Sequence, residues 1–253
     1  MGQHHYFGIL IISVLLLIST PGLSESVLAP GGLATGFEDD PSLKDRPNAG
    51  WENDKILFDK VSYWKNACFS ACHNQAKRAE DTSIPYVAGQ KFHYLLKQLE
   101  KFDQNHSDME SGANPGSRVW QRSNDLMNSV SEKVDSALFV YLADAISNMP
   151  CDGRSEPSAA LALPPPPASL EQCTTCHLKN GQGAAYDIPI LAGQSEAYMR
   201  RKMTSILNSE KGVSQKEGQN FRTHPVMGPI LAKLVYMDFF GLAKYFSAQD
   251  CRG

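Results

Sequence analysis

Cys173-Thr174-Thr175-Cys176-His177 reads CxxCH, and this pentapeptide decides the rest of the reading. It is the attachment signature of a c-type haem: two thiols add to the two porphyrin vinyl groups, and the adjacent His is held under the iron as proximal ligand. A second cluster, Cys68-Phe69-Ser70-Ala71-Cys72-His73, has the same form with one extra residue between the thiols, CxxxCH. The blander readings are a local disulfide or half of a zinc site. A zinc ribbon drawing one pair of thiols from each cluster leaves the His after both pairs unexplained.

The two clusters belong to a repeat. Cys72 and Cys176, like His73 and His177, stand 104 residues apart, and the register continues. Ile84-Pro85-Tyr86-Val87-Ala88-Gly89-Gln90 answers Ile188-Pro189-Ile190-Leu191-Ala192-Gly193-Gln194, and Tyr94 answers Tyr198. Further on the offset is 100: Arg122 answers Arg222, Met127 answers Met227, Leu142-Ala143 answers Leu242-Ala243, and Cys151 answers Cys251. Two copies of one unit carrying Cys, His and Met at matched positions are therefore present.

The chain has 253 residues, enough for one large or two small domains with a real core. Hydrophobic residues at 42% and charged residues at 20% are ordinary globular values, and the formal net charge of −3 supplies no chain-wide basic field for nucleic acid. Residues 1–24 contain no Lys, Arg, Asp or Glu, and Gly8 to Ile18 is an apolar run of 11 residues followed by Pro21, Gly22 and Ser24. That run suits a secretory signal peptide cleaved before Glu25, and is short of the roughly 20 residues a spanning helix needs. The segment before it lacks the usual Lys or Arg, so an uncleaved anchor is the alternative, and a membrane is a partner only in that case. Export would place the cysteines in an oxidising compartment.

Residues 25–50 form an irregular Gly-, Pro- and Asp-rich extension. The first repeat occupies 51–151, the second 172–253, and the Pro-rich stretch 152–171 between them, with Pro164 to Pro167 consecutive, reads as an extended polyproline linker. A role for that stretch as a ligand of a recognition domain needs a partner that the sequence does not suggest. Within each copy the apolar periodicity is helical. Ile56, Leu57, Val61 and Trp64 define a helix over Asp54 to Ala71; Phe92, Leu95, Leu96, Leu99 and Phe102 define one after Gly89-Gln90; Tyr198, Met203, Ile206 and Leu207 do so in the second copy. Terminal helices are expected over Val134 to Ser147 and Ala232 to Ser247. No run alternates with period two, so the fold class is all-α, a few short helices per copy around a large apolar cofactor.

These residues resemble the two-haem cytochromes c, in particular the c4 type, over about residues 55 to 250. The resemblance rests on the two CxxCH-like sites, the twice-used Ile-Pro-x-x-Ala-Gly-Gln-x-x-x-Tyr segment and a Met before each terminal helix. It implies tandem class I cytochrome c domains about a pseudo-twofold axis, two covalently bound haem c groups, and His/Met ligation of each iron. It implies electron transfer between a redox-protein donor and acceptor in the periplasm, commonly toward a terminal oxidase. The chain departs from the family pattern in the extra residue of CxxxCH, and in Asn74 and Leu178, where the family usually has Gly after the His.

On this reading Cys68, Cys72, Cys173 and Cys176 form the thioethers, and His73 and His177 are the proximal ligands. Pro85 and Pro189 lie where the family uses a Pro carbonyl to accept the imidazole N–H and so orient the ring. Met127 and Met227 are the expected distal ligands, since they match across the copies; a thioether favours reduced iron. Met on a helical face more often fills a core, and Met109, Met149, Met199, Met203 and Met237 are read that way. Arg122 and Arg222 suit a haem propionate, or are solvated surface residues. Trp120, Tyr94 and Tyr198 are read as core, with packing on the porphyrin the alternative. His93, His106 and His224 are read as surface or structural residues, with a ligand swap open at His224.

Cys151 and Cys251 occupy equivalent positions and are natural disulfide partners if their Cα atoms come within about 7 Å; separate buried thiols are the alternative. Two function classes follow. One is a carrier with both irons closed to ligands. The other is a diheme enzyme or the cytochrome subunit of a dehydrogenase, such as a thiosulfate dehydrogenase, a peroxidase, or a flavin or quinone dehydrogenase; a Cys ligand from Cys151 or Cys251 belongs to that class.

Overall fold

The first thiol pair ends a long helix, and the rest of the first repeat is built behind it. The computed structural model describes residues 46–74, 84–103, 124–151, 163–213 and 222–252, all within one unit. The leader, most of the N-terminal extension, His106, Met109, Trp120, Arg122 and the first part of the linker lie outside the described residues.

Helix α1, Lys55–Ala71, starts where the Asp54 carboxylate accepts from the amides of Ile56 and Leu57, satisfying donors that the first turn leaves without partners. After it come α2 (Phe92–Asp103), α3 (Asp125–Ser131) and α4 (Phe139–Ser147). The second repeat contributes α5 (Glu171–His177), α6 (Glu196–Glu210), α7 (Met227–Leu231) and α8 (Tyr236–Ser247). Short 3-10 turns at Trp51–Asn53, Ser136–Leu138 and Ala168–Leu170 precede α1, α4 and α5. Among the described residues there is no β-strand, and no helix is long and apolar enough to cross a membrane.

Each repeat packs its terminal helix against the helix that follows the Ala-Gly-Gln segment. Phe139, Leu142, Ala143 and Ile146 of α4 meet Val61, Phe92 and Leu95 in the first core, and Phe239, Leu242, Ala243 and Phe246 of α8 meet Met199, Ile206, Leu207 and Leu231 in the second. The four positions on α4 and α8 are the same four at an offset of 100.

Three expectations change. The terminal helices are shorter than the apolar pattern suggests, because the chain breaks at 132–135 and 232–235 and a separate short helix carries each matched Met. Residues 168–171, assigned by composition to the linker, are helical, and Leu170 is buried in the second core; its apolar side chain outweighs the proline context. Met237, expected to fill a core, is 71% exposed on α8, because the face that packs is that of Phe239, Leu242, Ala243 and Phe246. Met199, by contrast, is in the core.

Candidate haem sites

Cys68 lies in the last turn of α1, and Cys72 caps that helix with its amide donating to the Cys68 carbonyl at 3.1 Å; the His73 amide donates to the same oxygen at 2.8 Å. In a helix, residues three and four apart share a face. Spacings of CxxC and CxxxC therefore both present two thiols on one side, which is how the extra residue of the first cluster is accommodated. In the second cluster Cys173, Cys176 and His177 all lie within α5. All four of these thiols are unbridged and half-buried. Burial pushes the Cys68 thiol up, and pushes Cys173 up to about 11, the neighbouring Cys72 and Cys176 adding to each. Cys68 and Cys173 are thus neutral thiols, and among the described residues no group of three or more His, Cys, Asp or Glu converges as a metal site.

Both proximal candidates are buried. Nδ1 of His73 is 3.1 Å from the Pro85 carbonyl. A carbonyl only accepts, so Nδ1 carries the proton and Nε2 the lone pair suited to iron. His177 feels the Pro189 carbonyl, which raises its basicity, but Nδ1 has no partner in hydrogen-bond geometry among the described residues. Burial dominates at His177 and, with the charges of Arg222 and Lys91 acting in the same direction, takes its pKa down to about 4. It is a neutral imidazole, the form that binds metal.

Each matched Met sits at the start of its own short helix. Met127 N–H donates to Asn124 Oδ1 at 2.9 Å, and Met227 N–H donates to His224 Nδ1 at 3.2 Å. Asn124 and His224 are equivalent at the offset of 100, so one polar cap is used twice with a different residue type. His224 accepts only as a neutral ring, and burial, aided by Arg222 and His177, lowers its pKa to about 4. The reading of His224 as structural thus has a definite form. His93, in contrast, is no surface residue: it is buried and meets Tyr186 of the other repeat edge to face, ring centroids 4.7 Å apart.

Cys68, Cys72, His73, Pro85 and Met127 line one cavity of about 980 Å³ together with Cys173, Cys176, His177, Pro189, Arg222 and Met227. That volume is at the top of the range for small-molecule sites, and the walls are mainly apolar. Tyr94 and Tyr198 line it as well. Arg222 is buried, and its Nε has no hydrogen-bond partner among the described residues. A buried guanidinium nitrogen without an acceptor is costly, and an anionic cofactor edge beside it would relieve that cost. Thiols, imidazoles, thioethers and this cation fit a large flat apolar cofactor with anionic substituents and an iron.

The contact between the repeats explains the twice-used Ala-Gly-Gln, whose role the sequence left open. Gln90 Nε2 donates to the Ile190 carbonyl at 3.0 Å while Gln90 Oε1 accepts from the Ile190 amide at 2.8 Å. Gln194 does the same with Tyr86, at 3.0 Å for both bonds. Tyr86 and Ile190 are equivalent positions, so the exchange is reciprocal about a pseudo-twofold axis. The preceding Gly89 and Gly193 both have φ +70°, and their amides donate to Ile146 and Phe246 at 3.1 Å. A Cβ at Gly89 would come within 2.9 Å of the Cys151 backbone. Beside this contact Cys151 and Cys251 are joined by a disulfide, Cα atoms 6.3 Å apart.

No protein-family profile matches the chain. Among characterised proteins it is 27% identical over 195 residues to cytochrome c4 of Azotobacter vinelandii, and 27% identical over 190 residues to cytochrome c4 of Stutzerimonas stutzeri; each match covers 72% of this chain and 84% of the relative. Among solved structures, the cytochrome c4 of Acidithiobacillus ferrooxidans superposes with a TM-score of 0.52 at 20% identity, covering 72% of this chain and 99% of that one. Fold, attachment motifs and relatives together define a diheme c-type cytochrome, two class I domains carrying two covalently bound haem c groups and acting in electron transfer. Within that class it is similar to the cytochromes c4.

Proposed function

We infer that the protein is an exported, periplasmic electron carrier between redox-protein partners, a respiratory donor on one side and a terminal oxidase or comparable acceptor on the other. Haem iron supplies the one-electron ferric/ferrous couple. Cys68 and Cys72, and Cys173 and Cys176, would hold the two groups through thioethers. His73 and His177 would supply imidazole nitrogens to the iron, with Pro85 holding the His73 ring by its carbonyl and Pro189 the counterpart for His177. Met127 and Met227, each at the start of a short helix, would supply thioether sulfurs, and Arg222 would neutralise a propionate; Arg122 is its counterpart by sequence.

The observation that carries this reading is that both candidate His and both Met matched across the repeats line one cavity. A thioether on each iron would close both sites to small molecules and raise the potential. A sulfur-oxidising diheme enzyme with a Cys ligand would draw it from Cys151 or Cys251, and their disulfide withholds both. Optical titration of protein matured in a host competent for cytochrome c assembly tests the carrier. The expected result is two haems per chain by pyridine haemochrome, the long-wavelength thioether-to-iron band in the oxidised form, and no response of the reduced form to carbon monoxide. Carbon monoxide binding, or loss of the thioether band, overturns the closed carrier in favour of a diheme enzyme or dehydrogenase subunit.

A further inference from the structure

The second haem site is not held by its own repeat alone. Between His177 and Pro189 the chain folds back, Gly183 N–H donating to the His177 carbonyl at 3.1 Å and Ala184 N–H to the Cys176 carbonyl at 2.7 Å. The loop beyond is taken up by three side chains of the first repeat. Lys91 Nζ donates to the carbonyls of Gly183 and Ala185 at 2.7 and 2.8 Å; the His93 ring meets Tyr186; Lys97 Nζ pairs with Asp187 at 2.8 Å. His93 and Lys97 are one turn apart on α2, and Lys91 immediately precedes it, so one end of α2 grips residues 183–187. The fit is close: a Cβ on Gly183 would stand 2.9 Å from Lys91 Nζ.

Two of the three gripping positions differ between the repeats, while Lys97 answers Arg201, also a cation. Positions 91 and 93 correspond to Ser195 and Ala197 in the second repeat, and neither has the reach of a Lys or the ring of a His. Ser195 instead caps α6, accepting from the Tyr198 amide. Lys91 is half-buried, and burial lowers its pKa while Asp187 works against that; two carbonyls solvate the ammonium in place of water. A charge held in such a setting is screened less than a surface charge, and its effect reaches His177.

We propose that Lys91 is an interdomain positioning residue through which the first domain fixes the proximal loop of the second haem and raises that haem's reduction potential, separating it from the first. This rests on the two-haem reading above. A nearby cation disfavours the oxidised, more positive iron, so removing it lowers the potential; removing the Asp187 carboxylate raises it.

Spectroelectrochemical titration of the holoprotein tests this, with the second haem's wave identified as the one displaced in a Met227→His variant. Lys91→Met is expected to shift the one-electron equilibrium of the second haem about fivefold toward oxidised, which at 59 mV per tenfold is about 40 mV, and that of the first haem less than twofold. Lys91→Arg is expected to keep the wild-type potential. Asp187→Asn is expected to shift the second haem about twofold the other way. Amide exchange over 183–187 should rise in Lys91→Met and not in Lys91→Arg. Equal shifts at both haems, no shift in Lys91→Met, or shifts of the same sign in Lys91→Met and Asp187→Asn overturn the proposal; should Lys91→Met not fold, the sign in Asp187→Asn decides alone. Haem counting on the wild type separates this failure from failure of the underlying reading, since one haem per chain defeats the latter directly.

Discussion

Where the two repeats meet, Gln90 and Gln194 make the same pair of bonds to equivalent partners; where they face outward, Asp135-Ser136-Ala137 of the first corresponds to Val235-Tyr236-Met237 of the second. The latter three are all more than half exposed. On the outer face of α4, Asp144 is buried and accepts from Arg46 at 2.9 Å and Trp51 Nε1 at 3.1 Å, whereas its counterpart on α8 is the exposed Lys244. A twofold contact requires each copy to complement the other, so a change on one side disrupts a bond of both. An outward face has no such obligation. Duplication is therefore easiest to read in the Ala-Gly-Gln segments and fades toward the surface, and the different outer faces give the two haem domains different surfaces to offer a partner.

Breaking the covalent tie between the repeats has the largest expected effect. Cys151→Ser with Cys251→Ser opens a link spanning 100 residues, for which the chain-entropy account gives about 4 to 5 kcal/mol. Denaturant unfolding of the oxidised holoprotein should show that loss. If the non-covalent contact alone sustains a single cooperative unit, both haem environments still melt together in the double variant; two separate transitions would mean that the disulfide, and not the Gln pair, makes one unit of the two domains.

The reciprocal hydrogen bonds come next. Gln90→Ala and Gln194→Ala each remove two bonds across the contact and strand a backbone amide and carbonyl, an expected cost of about 2 kcal/mol apiece. Equal losses in the two variants sharpen the comparison; a loss confined to one shows that the pseudo-twofold contact is energetically lopsided.

The smallest effect concerns a difference between the attachment sites. Leu178, just after His177, has φ 59° and ψ 164°, a region almost reserved for glycine, and it is the one non-glycine residue with positive φ among the described residues. Its side chain is exposed, so little burial is lost on removing it. Leu178→Gly should stabilise the second domain by about 1 kcal/mol, read as a raised midpoint of unfolding at unchanged haem content. An unchanged or lowered midpoint would mean that the leucine contributes more than its backbone strain costs.

Much of this was legible before any coordinates. CxxCH is a local motif whose residues suit one cofactor, so its reading needs no fold, and the periodicity of α1 and α2 is local as well. The Leu178 anomaly was visible as a departure from the usual Gly, and its cost is visible in the backbone. What escaped were residues whose roles depend on distant partners. Gln90 and Gln194 stood in the repeat, but nothing within seven residues says what an amide binds. Lys91 reads as one of many lysines, His93 as a surface or structural histidine of no stated contact, and His224 as an unmatched one, because Asn124 does the same capping with a different side chain. Met237 was misplaced because helical periodicity reports that a helix has an apolar face without saying which apolar residues stay outside it.

The sequence by itself determined the cofactor, its covalent attachment, the duplication and the helical class, since each is written in spacings of a few residues or in one repeat offset. Only the tertiary structure decided what joins the repeats. The Gln exchange, the Lys91 grip and the Cys151–Cys251 bridge connect residues 92 to 108 positions apart, and such pairings follow from how two helical units present their faces, a three-dimensional complementarity that local spacing does not encode.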